Sequence, residues 1–145
     1  MRLFGLRSLT PFHNWIRIKD IKLEIIKSSD GATDNITKMP IFEGGDVWRR
    51  QIANAQTTEG EDFNFSIVQF AAGAKTKLHT HSGDQILYCL AGIGEVGANG
   101  KTELISVGDT VVIPANEVHW HGSGDSGSPM THIALTKADS ETEVL

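Results

Sequence analysis

Between Pro40 and Lys137 the chain is a succession of strand-sized apolar or alternating segments: "VWRRQI", "FNFSIVQF", "QILYCLA", "IGEVG", "TELISV", "TVVI", "VHWHG" and "MTHIALT". No stretch of this region sustains a helical period. Clusters of Gly, Pro, Asn or Asp separate most of the segments, and Asn99-Gly100 is a strong two-residue hairpin signal. Many short strands with turn signals point to an all-β fold, a sandwich or barrel of the jelly-roll kind. A length of 145 residues suits one domain, and neither an internal repeat nor a low-complexity tract argues otherwise. Residues 1–20 are read as a partly ordered N-terminal leader, 21–137 as the barrel and 138–145, "ADSETEVL", as an acidic C-terminal tail.

Two stretches before Pro40 carry their own signals. "WIRIKDIKLEIIK", from Trp15 to Lys27, alternates apolar with polar residues at the strand period, and "KSSDGATDN" is polar and contains Asp30-Gly31, as an exposed loop would. The first nineteen residues hold four basic residues and no acidic one, a bias shared with transit peptides. Arg7, Pro11, His13 and Asn14 interrupt any apolar run of a secretory signal there.

Charge narrows the partners. Residues 1–50 carry nine basic and six acidic side chains and residues 51–145 carry four and twelve, for a formal net charge of −5. Such a surface does not suit phosphate neutralisation, so no nucleic-acid partner is expected. No apolar run approaches the ~18 residues of a spanning helix, so no membrane partner is expected either. The lone cysteine, Cys89, cannot form an intrachain disulfide, and a cytoplasmic location is the default expectation.

Five of the six histidines fall between residues 79 and 132, in the region of densest strand signal. Alternate residues of a strand share a face, so His79 and His81 in "HTH" would project together, as would His119 and His121 in "HWH", with Trp120 turned away. Two such pairs facing the interior of a barrel can converge on one first-row transition metal. Ordinary polar residues on a solvated face are the bland alternative, and two paired His-x-His motifs favour the metal.

The motifs resemble those of the cupin superfamily. Gly73, His79, His81 and Gly92 match its first motif, with Gln85 at the position of the usual glutamate. Gly108, Pro114 and His119 resemble the second, which departs here at the glycine after proline and at an asparagine near its end. The resemblance runs from about Ile21 to about Thr136. It implies a single jelly-roll cupin barrel with a divalent transition metal held by His79, His81, Gln85 and His119. Manganese is favoured, with iron, nickel, zinc and cobalt as alternatives. Within the superfamily, Gln85, "HWHG" and "SPMTHIAL" look most like small manganese-dependent cupins that include bacterial hydroxynitrile lyases.

A neutral amide ligand beside three neutral imidazoles would leave the ion its full 2+ charge. Such a metal is a stronger Lewis acid and is harder to oxidise than one with a carboxylate ligand. Glutamine cannot accept a proton as a carboxylate can, so a base must come from elsewhere. His121 and His132 are the candidates, the second also readable as a hydrogen-bonded core histidine. Cys89 lies four residues past Gln85 and is a conceivable sulfur ligand, although a buried structural thiol is the favoured reading. Tyr88, Trp48 and Trp120 are read as packing.

The leading functional expectation is a metal-dependent lyase acting on a small hydroxylated or carbonyl substrate. A dioxygenase and a non-catalytic small-molecule or metal-binding module are the alternatives. A homodimer is expected, since jelly-roll edge strands need cover and the Trp15–Lys27 segment could supply a strand to a neighbouring subunit.

Overall fold

A computed structural model describes residues 24–54, 58 and 62–145. Twelve antiparallel strands follow in chain order: β1 (Asp34–Asn35), β2 (Phe42–Glu43), β3 (Val47–Ala53), β4 (Phe63–Phe70), β5 (Lys75–Thr76), β6 (His79–His81), β7 (Gln85–Ala98), β8 (Lys101–Ser106), β9 (Thr110–Ile113), β10 (His119–Gly122), β11 (Met130–Lys137) and β12 (Thr142–Val144). The described residues contain no helix, so none is long and apolar enough to cross a membrane. The fold is the all-β jelly roll expected from the strand pattern. The alternating segment Trp15–Lys27 lies outside the described residues up to position 23, and residues 24–27 form no strand.

The sheet curls so that one wall runs β1-β3-β4-β11-β7-β9 and the facing wall is built from β2, β5, β10, β6, β12 and β8 with the far half of β7. Strand β7 belongs to both walls. Its residues 85–92 pair with β11, and residues 93–98 pair with β8. The sequence suggests two strands here, "QILYCLA" and "IGEVG", whereas the chain runs through as one. Gly92, at φ 75°, makes the passage possible: a side chain there would collide with the carbonyl of Pro129, and its conformation disfavours any Cβ. A register shift between Thr131 and His132 of β11 accommodates the same bend.

The hairpin signal at Asn99-Gly100 is met directly. Both residues have positive φ, 53° and 72°, as a type I′ turn requires, and Ala98 pairs with Lys101 across it. The polar stretch after residue 27 is exposed and turned, with Asp30 Oδ2 accepting from the Lys27 amide at 2.8 Å, but its last two residues form β1 against β3.

Strand alternation divides interior from exterior. On β7, Gln85, Leu87 and Cys89 are buried, while Ile86, Tyr88 and Leu90 point outward and remain exposed. Val47, Val68, Phe70, Cys89 and Met130 fill one end of the interior as an apolar core. Burying each such side chain is worth about 1.5–3 kcal/mol, and the core fixes which face of β10 and β11 turns inward. Its rings meet the histidines directly: Phe70 lies edge-on to His121 at 6.1 Å between centroids and tilted against His132 at 5.4 Å.

Residues 138–145 are acidic as expected from the sequence, yet they do not stand apart from the barrel. Thr142–Val144 pair with His79–His81, because β6 is a three-residue strand whose other edge meets β10 and needs a second partner.

Candidate metal centre

Strand register assembles the centre. His79 of β6 lies directly opposite His119 of β10, so the two His-x-His motifs present their imidazoles across one strand pair. His79, His81, His119 and His121 are all buried, and the residues between them, Thr80 and Trp120, are only partly so. Trp120 turns outward over Gly97, where any side chain would collide with the indole, and Lys75 Nζ caps the ring at 4.8 Å. Ring centroids of His79 and His119 are 4.2 Å apart, those of His79 and His81 4.9 Å, and those of His81 and His119 5.5 Å. One nitrogen from each of these three lies within 4.8 Å of the others.

The tautomers follow from what the outer nitrogens meet. His79 Nδ1 donates to the Lys77 carbonyl and His119 Nδ1 to the Glu117 carbonyl, both at 2.8 Å, since a carbonyl can only accept. His81 Nδ1 lies 2.9 Å from Thr142 Oγ1 on β12. Each Nδ1 is therefore occupied, and the Nε2 lone pairs of His79 and His119 are left free. His81 Nε2 is buried with no hydrogen-bond partner, and His119 Nε2 sits 3.2 Å from Gln85 Oε1, an acceptor facing an acceptor. Without a cation, the Gln85 amide would gain by a half-turn that lets its NH2 donate to His119. With one, the oxygen stays inward. Three imidazole nitrogens, each ring oriented from behind by backbone or side chain, together with the amide oxygen of Gln85 fit a divalent transition ion.

Burial, together with the crowding of like groups, keeps these rings neutral at pH 7. Desolvation is the largest cause throughout: it lowers His79, His81 and His132 to about 4, His119 below its ordinary value and His121 far below. Neutral imidazole is the form that binds metal. The same burial predicts acid sensitivity of the metal-free protein. The unfolded chain protonates His132 as pH falls through 6.5 and the folded chain only near 4, so stability is lost progressively between those values. For His132 alone the loss is about 3 kcal/mol, a large share of an ordinary domain's stability. Urea midpoints measured on metal-free protein should drop steeply from pH 7 to pH 5. Midpoints constant over that range would contradict the buried neutral cluster.

The other sequence candidates fall into place around this centre. His121 stacks near His119, at 5.7 Å and 16°, and lies 5.4 Å from His79. His132 is fully buried behind it, with Nε2 3.1 Å from His121 Nδ1 and Nδ1 unpartnered. Cys89 shares the inward face of Gln85, but its thiol sits in the apolar core against the carbonyls of Ala91 and Gly92, at 3.7 and 3.9 Å. Burial pushes that thiol pKa up, as suits an inert structural cysteine. Tyr88 faces outward, exposed.

A cavity of about 290 Å3 opens beside the centre, reaching it at His81 and Gln85. Its walls include Arg49, Gln51, Ser66 and Thr142, none of which stood out in the sequence. Alternation along β3 puts Arg49 and Gln51 on the same face as buried Val47, yet "VWRRQI" offers two adjacent arginines and no sign of which turns inward.

Comparison with known proteins agrees with this geometry. Residues 66–135 match the model of the cupin domain family. The (R)-mandelonitrile lyase of Granulicella tundricola is 41% identical over 69 residues, 47% of this chain and 52% of that protein, so the match spans about half the length of this relative. The pectin degradation protein KdgF of Dickeya dadantii is 36% identical over 90 residues, 61% of this chain and 78% of that protein. Among solved structures, a cupin-like protein of Thermotoga maritima superposes with a TM-score of 0.68 at 30% identity, covering 79% of this chain and 84% of its own. With the jelly-roll barrel, the two motifs and the three converging histidines, these likenesses establish that the chain belongs to the cupin family.

Proposed function

We propose that this protein is a metal-dependent lyase that cleaves a small hydroxylated substrate to a carbonyl product without net redox change. The observation that carries the reading is the all-neutral ligand set: three buried imidazoles and the Gln85 amide where a carboxylate is usual. The likeness to a protein named (R)-mandelonitrile lyase points the same way and supplies cyanohydrin cleavage as the concrete case. In this reading His79, His81, Gln85 and His119 hold the metal, manganese for preference. A divalent ion bound there supplies Lewis-acid stabilisation to a substrate oxygen.

The remaining chemistry falls to the chain. His132 Nε2, 3.1 Å from His121 Nδ1, can accept a hydrogen bond from the Nδ1–H of His121, the tautomer that leaves His121 Nε2 unprotonated. His121 then acts as the base, taking the proton of the substrate hydroxyl. The O–H electron pair forms the carbonyl, the carbon–carbon bond breaks, and cyanide departs with its electron pair and recovers the proton as HCN. Burial holds both rings neutral, which keeps the unprotonated form of His121 populated at neutral pH while weakening it as a base.

Protein loaded with manganese should release cyanide from a small aliphatic cyanohydrin such as lactonitrile with no oxygen uptake. Its metal-free form should do so at no more than the background rate. Oxygen consumption tied to turnover would instead identify a dioxygenase, and absence of both cyanide release and oxygen uptake would count against the lyase.

A further inference from the structure

The cavity beside the metal centre holds a charge that the proposed chemistry does not use. Arg49 points into it from β3. Its Nε is buried without a hydrogen-bond partner, and among the described residues its guanidinium has no ion pair. The contrast with its neighbour is sharp: Arg50, on the opposite face, donates Nη2 to the carbonyls of Lys27 and Asp30. A cation held partly out of water with unused donors is costly unless something negative reaches it.

Nothing on the cavity wall does. Its other residues are neutral hydrogen-bonding groups with a single alanine, and it contains no carboxylate and no phenyl, phenol or indole ring. Gln51 and Asn64 have their amide NH2 groups committed to backbone carbonyls, Gln51 to Ala53 and Phe65, and Asn64 to Lys137 and Ala138. Ser66 and Thr136 add hydroxyls. An all-neutral ligand set would leave a bound ion's charge uncompensated in the same space, so the cavity would be doubly cationic in character and polar throughout. It suits an anion and offers an aryl group little apolar contact.

We propose that Arg49 determines substrate class, docking the carboxylate of a small hydroxylated carboxylic acid whose hydroxyl then faces the metal centre. The planar guanidinium matches a carboxylate in two parallel hydrogen bonds. A volume of about 290 Å3 corresponds to roughly ten waters, room for a compact acid rather than an oligomer. The orientation of the hydroxyl rests on the lyase reading of the site; the preference for a carboxylate rests on Arg49 alone.

The test is calorimetric titration of the full chain, manganese-loaded and metal-free, with glycerate and with its neutral amide, glyceramide. Wild type should bind glycerate about 10- to 100-fold more tightly than glyceramide, the range expected of hydrogen bonds to a charged group. The preference should persist in metal-free protein, where chelation cannot produce it. In Arg49→Gln it should shrink to less than about twofold in the metal-free protein, with metal content unchanged. Equal binding of the two probes by metal-free wild type overturns the proposal, whether or not Arg49→Gln folds. So does a preference that survives in metal-free Arg49→Gln. Loss of metal binding or of lyase turnover with the charge preference intact would sink the lyase reading and leave the role of Arg49 standing.

Discussion

His81→Ala protein should purify without the divalent ion that wild type retains. His81 is a ligand candidate whose inner nitrogen, Nε2, is buried and unsatisfied, while Nδ1 is held by Thr142. Its removal takes one of the four proposed donors and opens the centre to the cavity that His81 lines. Loss of an outer-shell partner alone commonly weakens a site by 10- to 100-fold, so loss of a ligand should exceed about 100-fold in affinity. Elemental analysis is the direct measurement, with about one metal per chain expected in wild type. A thermal shift on adding manganese gives a second one. A ligand at 100 times its Kd raises stability by about 2.7 kcal/mol, and His81→Ala should show none of that rise. Retention of a full complement of metal by His81→Ala would remove the centre from the account.

The second large effect concerns His121. His121→Gln should keep its metal, because His121 is not one of the three converging ligands, yet lose turnover by about 10²- to 10⁴-fold, the usual contribution of a positioned base. The fall should appear in kcat rather than KM, since in the proposed role His121 meets the substrate only at the hydroxyl whose proton it takes, while the cavity walls that would hold the rest of the substrate are other residues. His132→Gln is the informative companion. Its amide can still accept from His121 Nδ1, so it should lose less activity than His121→Gln while altering the pH profile. Equal and complete loss in both, together with loss of metal, would show that the pair holds the barrel together and moves no proton.

Much of this architecture is legible in the chain, because β structure writes its alternation locally. Asn99-Gly100 specifies its turn through two positive φ angles that few other residues tolerate, and His-x-His on a strand fixes that both rings share a face. What cannot be read locally depends on partners far away. β7 passes from one wall to the other at Gly92, and whether a glycine bends or ends a strand depends on the carbonyl of Pro129 that packs against it. Thr142 lies in a short acidic stretch with no apolar pattern, and its significance comes from pairing with a strand 61 residues earlier. Arg49 and Arg50 are indistinguishable by composition. Only the parity set by buried Val47 sends one to the cavity and the other to the surface.

The hydrogen bond from β12 to His81 ties two equilibria together. If docking of Thr142–Val144 orients a ligand and so tightens ion binding by some factor, an ion must tighten the docking of that strand by the same factor. An ion would thus fasten the end of the described chain onto the barrel, and amide exchange along Thr142–Val144 becomes a reporter of occupancy at a centre that is buried from view.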